Sequence, residues 1–488
     1  MSDKTRNTPP TLPDEGTFLP VATERSSDPL GFPGYAEALV AAETASWGDE
    51  AVVAGPALVG GHPVELALFD FTFLAGSMGE VAGERLALAM ERAAVRGVPF
   101  ILRTETGGAR MQEGMRALVQ MPKVVVARLA LADAHQAFVA LLGHPTTGGV
   151  LAGLGALADV TIAEAGATVG FAGPRVVATF TGDPVGSDSH TSETALAAGL
   201  VDDVVDPTGA RELVRKILAV LAEDDPELVG VPAPAAPTVS TVLNPWEAVT
   251  AARAAGRPTG KALLQLVSSE FVLLRGDRGG HDDPAIVTAL ARIAGRRVVV
   301  CALDRAHAPG PAGYRKARRC AEIAERLGLP LVTFIDTPGA DPSPRSERGG
   351  IAWEIAKTFE CLLTLQVPVL SIVSGAGGSG GALALAVADT LLIYDDAYFS
   401  VIGPEAAAEI MWRDDTRAPD AARMQKLTAA TLIDLGIADG VLATPIEPRS
   451  LRDTIAYHLD RSADEIRHPA DRAHARRRRW RDSDALSD

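Results

Sequence analysis

Apolar runs alternate with glycine clusters along this chain, most clearly between positions 367 and 388. Residues 367–373 are almost entirely apolar and predict a buried strand. Five glycines between positions 375 and 381 predict a tight turn, and the small residues 382–388 predict a closely packed helix. A helix start leaves backbone N–H groups without intrahelical partners and carries partial positive charge. The pattern therefore predicts a site that holds negative charge.

The first half shows the same alternation of strand-like and helix-like segments. Residues 64–73, 98–103 and 138–142 are apolar and predict strands. Residues 80–96 consist mostly of good helix formers and predict a long helix. The chain is therefore predicted to be an α/β protein.

The glycine cluster also matches a known cofactor motif. Residues 375–380 read GAGGSG, which fits the dinucleotide pattern GxGxxG, and Asp395 and Asp396 follow a second apolar run at 390–394. Alone, this favours a nicotinamide cofactor. No Lys-Ser/Thr pair follows the glycines, which argues against a Walker-type phosphate loop.

An internal repeat favours a different function. The first half contains two glycine turns, an Asp and a Gly-Pro pair, and each recurs in the second half at an offset of 230 to 232 residues. The matched strings are Thr106-Gly-Gly-Ala109 with Thr337-Pro-Gly-Ala340, Gly148-Gly149 with Gly380-Gly381, Asp159 with Asp389, and Gly173-Pro174 with Gly403-Pro404. The first copy lacks GxGxxG. The shared feature is a pair of glycine turns, which predicts two sets of backbone donors rather than a pyrophosphate cradle.

Composition narrows the function further. With 488 residues and 47% hydrophobic content, the chain can form two domains of ordinary size. A net charge of -16 disfavours nucleic acid and anionic membranes as partners. The three cysteines form neither a disulfide framework nor a CxxC metal site, which fits a reducing cytoplasm. Residues 361–388 carry no charge, but Pro368 and the glycines interrupt them, so we expect buried structure rather than a membrane span.

The expected organisation has five parts. They are a disordered N-terminal segment (1–27), a first domain (28–223), a Pro-rich linker (224–243), a second domain (244–465) and a charged tail (466–488) whose basic run 476–479 we expect to be solvated.

Longer strings in both halves resemble a known family. In the first half these are GSMGEVAGER, TGGARMQEG, PTTGGV and GFAGPRV, and in the second NPWEAV, LLRGDRGGHDDPAIV, GYRKA, FIDTPGA and GAGGSGGALALAVAD. The first set is similar to the beta subunit and the second to the alpha subunit of bacterial acetyl-CoA carboxylase carboxyltransferase. The strings are collinear, so the chain resembles a fusion of beta to alpha.

The resemblance implies two tandem crotonase-like (ClpP/crotonase) domains in an α/β fold. It also implies a carboxyltransferase that moves the carboxyl group from carboxybiotin on a separate carrier protein to the α-carbon of an acyl-CoA, through an enolate. Both partners would develop negative charge on oxygen, which calls for two backbone oxyanion holes. In the family mechanism, the freed biotin nitrogen takes the substrate proton.

The family motifs map onto specific residues. The implied catalytic backbone donors are Gly107, Gly108, Gly148, Gly149, Gly339, Ala340, Gly380 and Gly381. Candidates for contact with the CoA phosphates or the carrier are Arg110, Arg175, Tyr314, Arg315 and Lys316. For these side chains an ordinary helix-surface role is an open alternative, such as a pair between Arg110 and Glu113. The sequence leaves open which half binds which partner; we assign the CoA enolate to the first half and biotin to the second.

Departures from the family leave two alternatives. The chain has no four-cysteine zinc ribbon, so no metal is predicted, and a basic stretch before Gly313 is shorter than in the alpha family. Ala376 stands where that family has Glu. A biotin-independent malonyl-type thioester decarboxylase and a non-catalytic carboxylase-assembly paralogue therefore remain open.

The expected partners follow from what the sequence lacks. It has no Met-Lys-Met carrier segment and no ATP-grasp domain, so we expect a biotin carboxyl carrier protein and a biotin carboxylase as separate chains. We also expect a cytoplasmic homodimer or higher homo-oligomer. The acyl group, the choice between CoA and carrier-protein thioesters, and the pathway are not determined by the sequence.

Overall fold

A computed structural model describes residues 11–21, 24–183, 186, 189–224, 243–466 and 468–482. Backbone contacts divide the chain into two units. The first runs to Leu221 and includes Arg278–His281, and the second comprises Ala222–Asp277 and the chain from Asp282 onward.

The first unit is a mixed α/β fold. Its elements are α1 (Tyr35–Ala45), β1 (Val52–Val59), β2 (His62–Phe69), α2 (Glu80–Arg96), β3 (Phe100–Thr106), α3 (Met115–Leu118), α4 (Gln120–Asp133), β4 (Phe138–Thr147), α5 (Gly148–Gly153), β5 (Val160–Glu164), β6 (Val169–Gly170), α6 (Pro174–Thr181), α7 (Ser192–Ala197), β7 (Asp203–Val205) and α8 (Pro207–Leu221).

These strands form one sheet in the order β1-β2-β3-β4-β5-β7, with β6 paired to the end of β4. β1 and β2 form an antiparallel hairpin, and the other pairs are parallel. Parallel strands are usually covered on both faces. This explains why β3, β4 and β5 are almost wholly buried and why β3 and β4 were recognisable as apolar runs.

The second unit has a related arrangement. Its elements are α9 (Pro245–Ala252), α10 (Gly260–Val267), β8 (Ser268–Leu274), β9 (Ile286–Ile293), β10 (Arg296–Leu303), α11 (Pro311–Leu327), β11 (Leu331–Thr337), α12 (Pro344–Arg348), α13 (Ile351–Thr364), β12 (Val369–Gly378), α14 (Ser379–Ala386), β13 (Thr390–Tyr394), β14 (Tyr398–Ser400), α15 (Pro404–Trp412), α16 (Ala418–Gln425), α17 (Ala429–Asp434), β15 (Gly440–Leu442), α18 (Pro448–Glu465) and α19 (Pro469–Asp482).

Its sheet has the order β15-β13-β12-β11-β10-β9-β8, with β14 paired to the end of β12. β8, β9 and β10 are antiparallel, and the remaining pairs are parallel. The repeat seen in the sequence is therefore a repeat of structure. The helices α2 and α11 both have 17 residues. They end at Gly97 and Gly328, whose φ values are 64° and 63°.

Part of the segment that we expected to be disordered is held against the first sheet. The Leu19 N–H donates to the Pro56 carbonyl at 3.0 Å, and the Val21 N–H to the Ala54 carbonyl at 2.9 Å. Leu12 is buried. The prediction of disorder is therefore wrong for residues 11–21. Of the predicted linker, residues 225–242 lie outside the described residues.

The predicted charged tail is also corrected. Residues 469–482 form α19, and the Arg476 side chain is fully buried. Its guanidinium pairs with the Asp389 carboxylate at 2.8 Å. The basic run is therefore part of the second unit and not wholly a solvated tail.

Candidate functional site

The first candidate site lies where the carboxyl ends of β3 and β4 meet. The two strands are parallel neighbours, and Thr106 pairs with Thr146 near their ends. Gly108 and Gly148 follow with φ values of 110° and 68°, a region that favours glycine. A β-carbon added at Gly148 would lie 2.8 Å from the Gly108 Cα. Glycine is therefore required for the two loops to approach this closely.

Most of the backbone donors predicted for this site already have acceptors. Three of the four N–H groups bond within the unit, at 2.9, 3.0 and 2.9 Å: Gly107 to Ala75 O, Gly108 to Thr106 Oγ1, and Gly148 to Phe171 O. The prediction that these three groups bind a ligand is therefore wrong. Their structural role is to shape the loops.

The Gly149 N–H is the remaining donor. Gly149 is the second residue of α5, ahead of the first intrahelical hydrogen bond. We find no acceptor for its N–H within the part of the chain that the structure describes. A β-carbon added at Gly149 would lie 2.7 Å from the Met121 Sδ. The first site thus centres on one peptide donor, with a thioether packed against its α-carbon.

The second candidate site lies at the corresponding ends of β11 and β12. The loop after β11 packs directly on the glycines: a β-carbon added at Gly378 would overlap the Pro338 carbonyl oxygen, and one at Gly381 would lie 2.7 Å from the Ala340 N. Gly339 has a φ of 141°. As in the first unit, the glycines allow two backbone segments to meet.

More donors remain in the second site than in the first. The Gly339 N–H donates to Thr337 Oγ1 at 3.3 Å, so the prediction is wrong for this group. Among the described residues, we find no acceptor for the N–H groups of Ala340, Gly380 and Gly381. A β-carbon added at Gly380 would meet no atom within 4 Å. The second site therefore has three peptide donors without an acceptor among the described residues, and the space beside Gly380 is open.

The other glycines of this cluster serve packing rather than a turn. Gly375, Gly377 and Gly378 belong to β12, so the predicted turn is wrong at these positions. A β-carbon would overlap the Asp336 carboxylate at Gly375 and the Phe399 ring at Gly377. These close approaches account for the GxGxxG string without a dinucleotide.

Arg110 cannot serve as a surface contact for CoA, because its side chain is fully buried. It pairs with the Glu50 carboxylate, lies 3.2 Å from the Glu113 carboxylate, and contacts the Tyr35 hydroxyl at 3.3 Å. Its predicted substrate role is wrong, and the alternative that we left open, a pair with Glu113, is present.

The GYRKA string likewise faces its own unit. Tyr314 is fully buried. Arg315 bonds to Asp277 at 2.8 Å, and the Lys316 Nζ lies 2.6 Å from the Asp282 carboxylate. These ion pairs contradict the predicted contact of Arg315 and Lys316 with CoA phosphates, whereas the buried Tyr314 hydroxyl has no hydrogen-bond partner among the described residues. Arg175, near the start of α6, is exposed, so its predicted role stays a prediction.

The sequence did not predict the positions of two side chains that lie at the sites. Met121 lies against Gly149, and the Tyr314 hydroxyl lies against Gly381. In the sequence, only the second glycine of each repeated Gly-Gly pair pointed to these contacts, because a position that requires glycine implies a close neighbour. The sequence does not say which residue that neighbour is.

Metal binding and membrane insertion receive no support within the described ranges. No group of three His, Cys, Asp or Glu side chains there is arranged to hold a metal ion. No helix there combines the length and hydropathy needed to cross a bilayer.

Known proteins are similar to this chain over most of its length. The family model described as acetyl co-enzyme A carboxylase carboxyltransferase-like matches residues 234–481. The chain is 41% identical over 482 residues to the acetyl-coenzyme A carboxylase carboxyl transferase subunits beta/alpha of Salinispora tropica, covering 92% of this chain and 85% of that protein. It is 37% identical over 454 residues to the probable biotin-dependent acyl-coenzyme A carboxylase beta3 subunit of Mycobacterium tuberculosis, covering 91% and 90%.

Solved structures show the same fold. Transcarboxylase 12S with methylmalonyl-CoA and methylmalonic acid bound superposes with a TM-score of 0.75 at 24% identity, covering 93% of this chain and 88% of that one. Transcarboxylase 12S with hydrolysed methylmalonyl-CoA bound gives a TM-score of 0.74 at 25% identity with the same coverage.

The duplicated sheets and paired glycine loops define a protein of two crotonase-like units, the fold of the carboxyltransferases. The identity to the relatives and the match to the family model identify the family within this fold class. The chain belongs to the acetyl-CoA carboxylase carboxyltransferase family, which confirms the resemblance read from its motifs.

Proposed function

We propose that this chain is the carboxyltransferase component of a biotin-dependent acyl-CoA carboxylase. It moves a carboxyl group between biotin on a separate carrier protein and the α-carbon of an acyl-CoA. The observation that carries this proposal is the presence of two glycine-lined sites, the first with one and the second with three backbone N–H groups that have no acceptor among the described residues. The names of the relatives, carboxyl transferase and biotin-dependent acyl-CoA carboxylase subunits, support it.

The first site suits the thioester. The Gly149 N–H would donate to the thioester carbonyl oxygen, whose negative charge grows as the α-proton leaves. A preorganised donor of this kind contributes about 2.7–4 kcal/mol to the transition state in a site that excludes water. Transcarboxylase 12S, which is 25% identical, has hydrolysed methylmalonyl-CoA bound in its structure, and this supports an acyl-CoA as the substrate class.

The second site suits biotin. The open space at Gly380 and the donors of Ala340, Gly380 and Gly381 match the needs of a ureido carbonyl oxygen, which accepts hydrogen bonds and offers no charge for an ion pair. When bound, biotin supplies the carboxyl group that is transferred. The three peptide groups would hold the ureido oxygen and fix the orientation of the ring.

Arg175 is the remaining candidate for contact with CoA. It is exposed near the start of α6, so its guanidinium can reach solvent-borne phosphates. An Arg fork binds phosphate oxygens in a bidentate manner. We assign Arg175 to the CoA phosphates.

The enzyme is proposed to act as a homo-oligomer with separate biotin carboxylase and carrier chains. Corresponding helices in the two units expose large apolar side chains: Phe180 of α6 is 88% exposed and Ile410 of α15 is 73% exposed. Such patches usually mark interaction surfaces, and the 12S neighbour is described as a hexamer assembly. Light scattering should show a multiple of the chain mass, and a monomer would contradict this part of the proposal.

The reverse reaction tests the function directly. Purified full-length protein is mixed with malonyl-, methylmalonyl- and longer carboxyacyl-CoAs, with and without free biotin, and loss of the carboxyl group is measured. Loss that depends on biotin is expected and would identify the acyl class. Loss without biotin would favour the decarboxylase, and no turnover of any thioester would favour a non-catalytic assembly protein.

A further inference from the structure

The Tyr314 hydroxyl of the second unit is buried and lacks a hydrogen-bond partner among the described residues. Tyr314 lies in the first turn of α11, its side chain is fully buried, and it packs with Ile351 and Ala384. Its hydroxyl makes no hydrogen bond to the part of the chain that the structure describes. Burying a hydroxyl without a partner is unfavourable, so such groups call for an explanation.

The position of the Tyr314 hydroxyl explains why it has no partner in the described part of the chain. A β-carbon added at Gly381 would lie 2.6 Å from the Tyr314 Oη and 2.7 Å from the Ala340 N. A side-chain O–H and a peptide N–H without an acceptor among the described residues therefore border the same small volume beside Gly381. Both can donate to an oxygen atom.

The first unit shows that the fold does not require a hydroxyl here. Gly83 occupies the place in α2 that Tyr314 occupies in α11, and the side chain of Gln120 fills the space beside it. Gly149, the counterpart of Gly381, has the Met121 thioether as its neighbour instead. The two sites thus differ in chemistry: a thioether adjoins one glycine and a hydroxyl adjoins the other.

The tyrosine keeps its proton at all working pH values. Burial raises the pKa of the Tyr314 hydroxyl well above its usual value, and the negative charge of Asp283 raises it further. The group is therefore a donor and not a phenolate.

We propose that the Tyr314 hydroxyl is a side-chain donor of the second site, which bonds the same ligand oxygen as the Ala340 N–H group. Given the function proposed above, on which this inference rests, that oxygen is the ureido oxygen of biotin. Gly381 is then glycine because any side chain would separate the hydroxyl from the loop.

Tyr314→Phe tests the proposal, because it removes only the hydroxyl and leaves an apolar ring in an apolar pocket. Two quantities are measured on the full chain: biotin-dependent decarboxylation of the active carboxyacyl-CoA, and calorimetric binding of free biotin without any thioester. We expect kcat to fall by about 100- to 1,000-fold, the KM for the acyl-CoA to stay unchanged, and biotin to bind more weakly. The thermal midpoint should not fall.

Tyr398→Phe is the matched control. Tyr398 is a buried tyrosine of the same unit whose hydroxyl, unlike that of Tyr314, has a side-chain partner, Arg253. We expect it to lower the thermal midpoint while kcat and biotin affinity stay within about twofold of the wild type. It separates loss of a buried hydroxyl in general from loss of this one.

The outcomes separate the inference from the proposed function. If the wild type is active and Tyr314→Phe matches it in both kcat and biotin affinity, the inference is overturned and the function stands. If the KM for the acyl-CoA rises while biotin affinity is unchanged, the hydroxyl serves the thioester and the assignment to biotin is wrong. A wild type that neither turns over nor binds biotin overturns both.

Discussion

Arg476, whose side chain is fully buried, pairs with Asp389 and so joins α19 to the segment following α14. The Arg476 Nε and Nη2 donate to the two carboxylate oxygens of Asp389 at 3.0 and 2.8 Å. Asp389 also accepts from the Val369 N–H at 2.9 Å, at the start of β12. The carboxylate therefore ties α19 to the strand that leads into the second site.

This pair predicts a large effect of Arg476→Leu. The substitution removes the nearer of the two arginines that pair with the largely buried Asp389 carboxylate, leaving Arg472 at 3.9 Å. It also removes donors from the Leu362, Leu365 and Val367 carbonyls. Losing one partner of a buried pair costs about 3–5 kcal/mol. We expect a lower thermal midpoint for the full chain and faster hydrogen exchange in residues 469–482.

Arg478→Leu is the matched control, since Arg478 lies in the same helix with an exposed side chain. It should leave both measurements nearly unchanged. Equal effects of the two substitutions would show that the pair does not anchor α19.

The same carboxylate shows how far sequence reasoning reaches. Asp159 and Asp389 were recognised as repeated, and in the structure each accepts from the first N–H of a central strand, Phe138 or Val369, at 2.9 Å. Their cations come from different places, Arg128 in α4 and Arg476 in α19. A repeat in sequence therefore predicts the shared backbone contact but not the partner that a distant helix provides.

The fold and the candidate sites also contain features that the sequence predicted and features that it could not. Apolar runs predict strands because buried parallel strands need apolar side chains on both faces, and helix α2 has the bounds that its composition predicted. The sequence located the repeated glycine pairs. It could not show that the N–H groups of Gly107, Gly108 and Gly148 donate hydrogen bonds to acceptors within the unit. Arg110 looked like a surface cation because its buried partner Glu50 is 60 residues away in the chain.

Gly380→Ala should separate activity from stability. Gly380 has an unstrained backbone and open space where a methyl group would project, so the fold should accept it. Alanine also favours helix over glycine. We expect an unchanged or higher thermal midpoint, but a loss of biotin-dependent turnover of at least about 10-fold, because the methyl group enters the space assigned to the ligand.

Gly256→Ala provides the comparison, since that position also has open space and no positive φ. It should alter neither quantity. Full turnover by the Gly380→Ala protein would argue that no ligand occupies the space at this glycine.

Gly148→Ala should damage both stability and activity. At its φ of 68° an alanine is strained, and the new β-carbon would lie 2.8 Å from the Gly108 Cα. Strain of this kind costs about 1–3 kcal/mol, and the backbone clash adds to it. Relief of the clash moves the adjoining Gly149 N–H, so turnover should fall as well.

Gly166→Ala isolates the strain from the clash. Gly166 has a φ of 72° but no atom within 4 Å of an added β-carbon. We expect a loss of stability of about 1 kcal/mol from the backbone conformation alone, with turnover retained. Equal losses of stability and turnover in the two variants would contradict the close packing of the two loops.

Alkaline pH should destabilise the folded chain through its buried tyrosines. Burial is the main cause that raises the pKa of Tyr35, Tyr314, Tyr394 and Tyr398 above the usual value of 10.0. Above pH 10 the unfolded chain releases these protons while the folded chain retains them, so the free energy of unfolding falls as pH rises. Each such tyrosine contributes about 1.4 kcal/mol per pH unit in that range.

Absorbance at 295 nm should show these four side chains still protonated in the folded protein at pH 10.5 and ionised together on unfolding. Stability that stays constant from pH 9 to 11, or ionisation of these four tyrosines with a midpoint of 10 in the folded state, would contradict the burial of their hydroxyls, including the one that we assign to the second site.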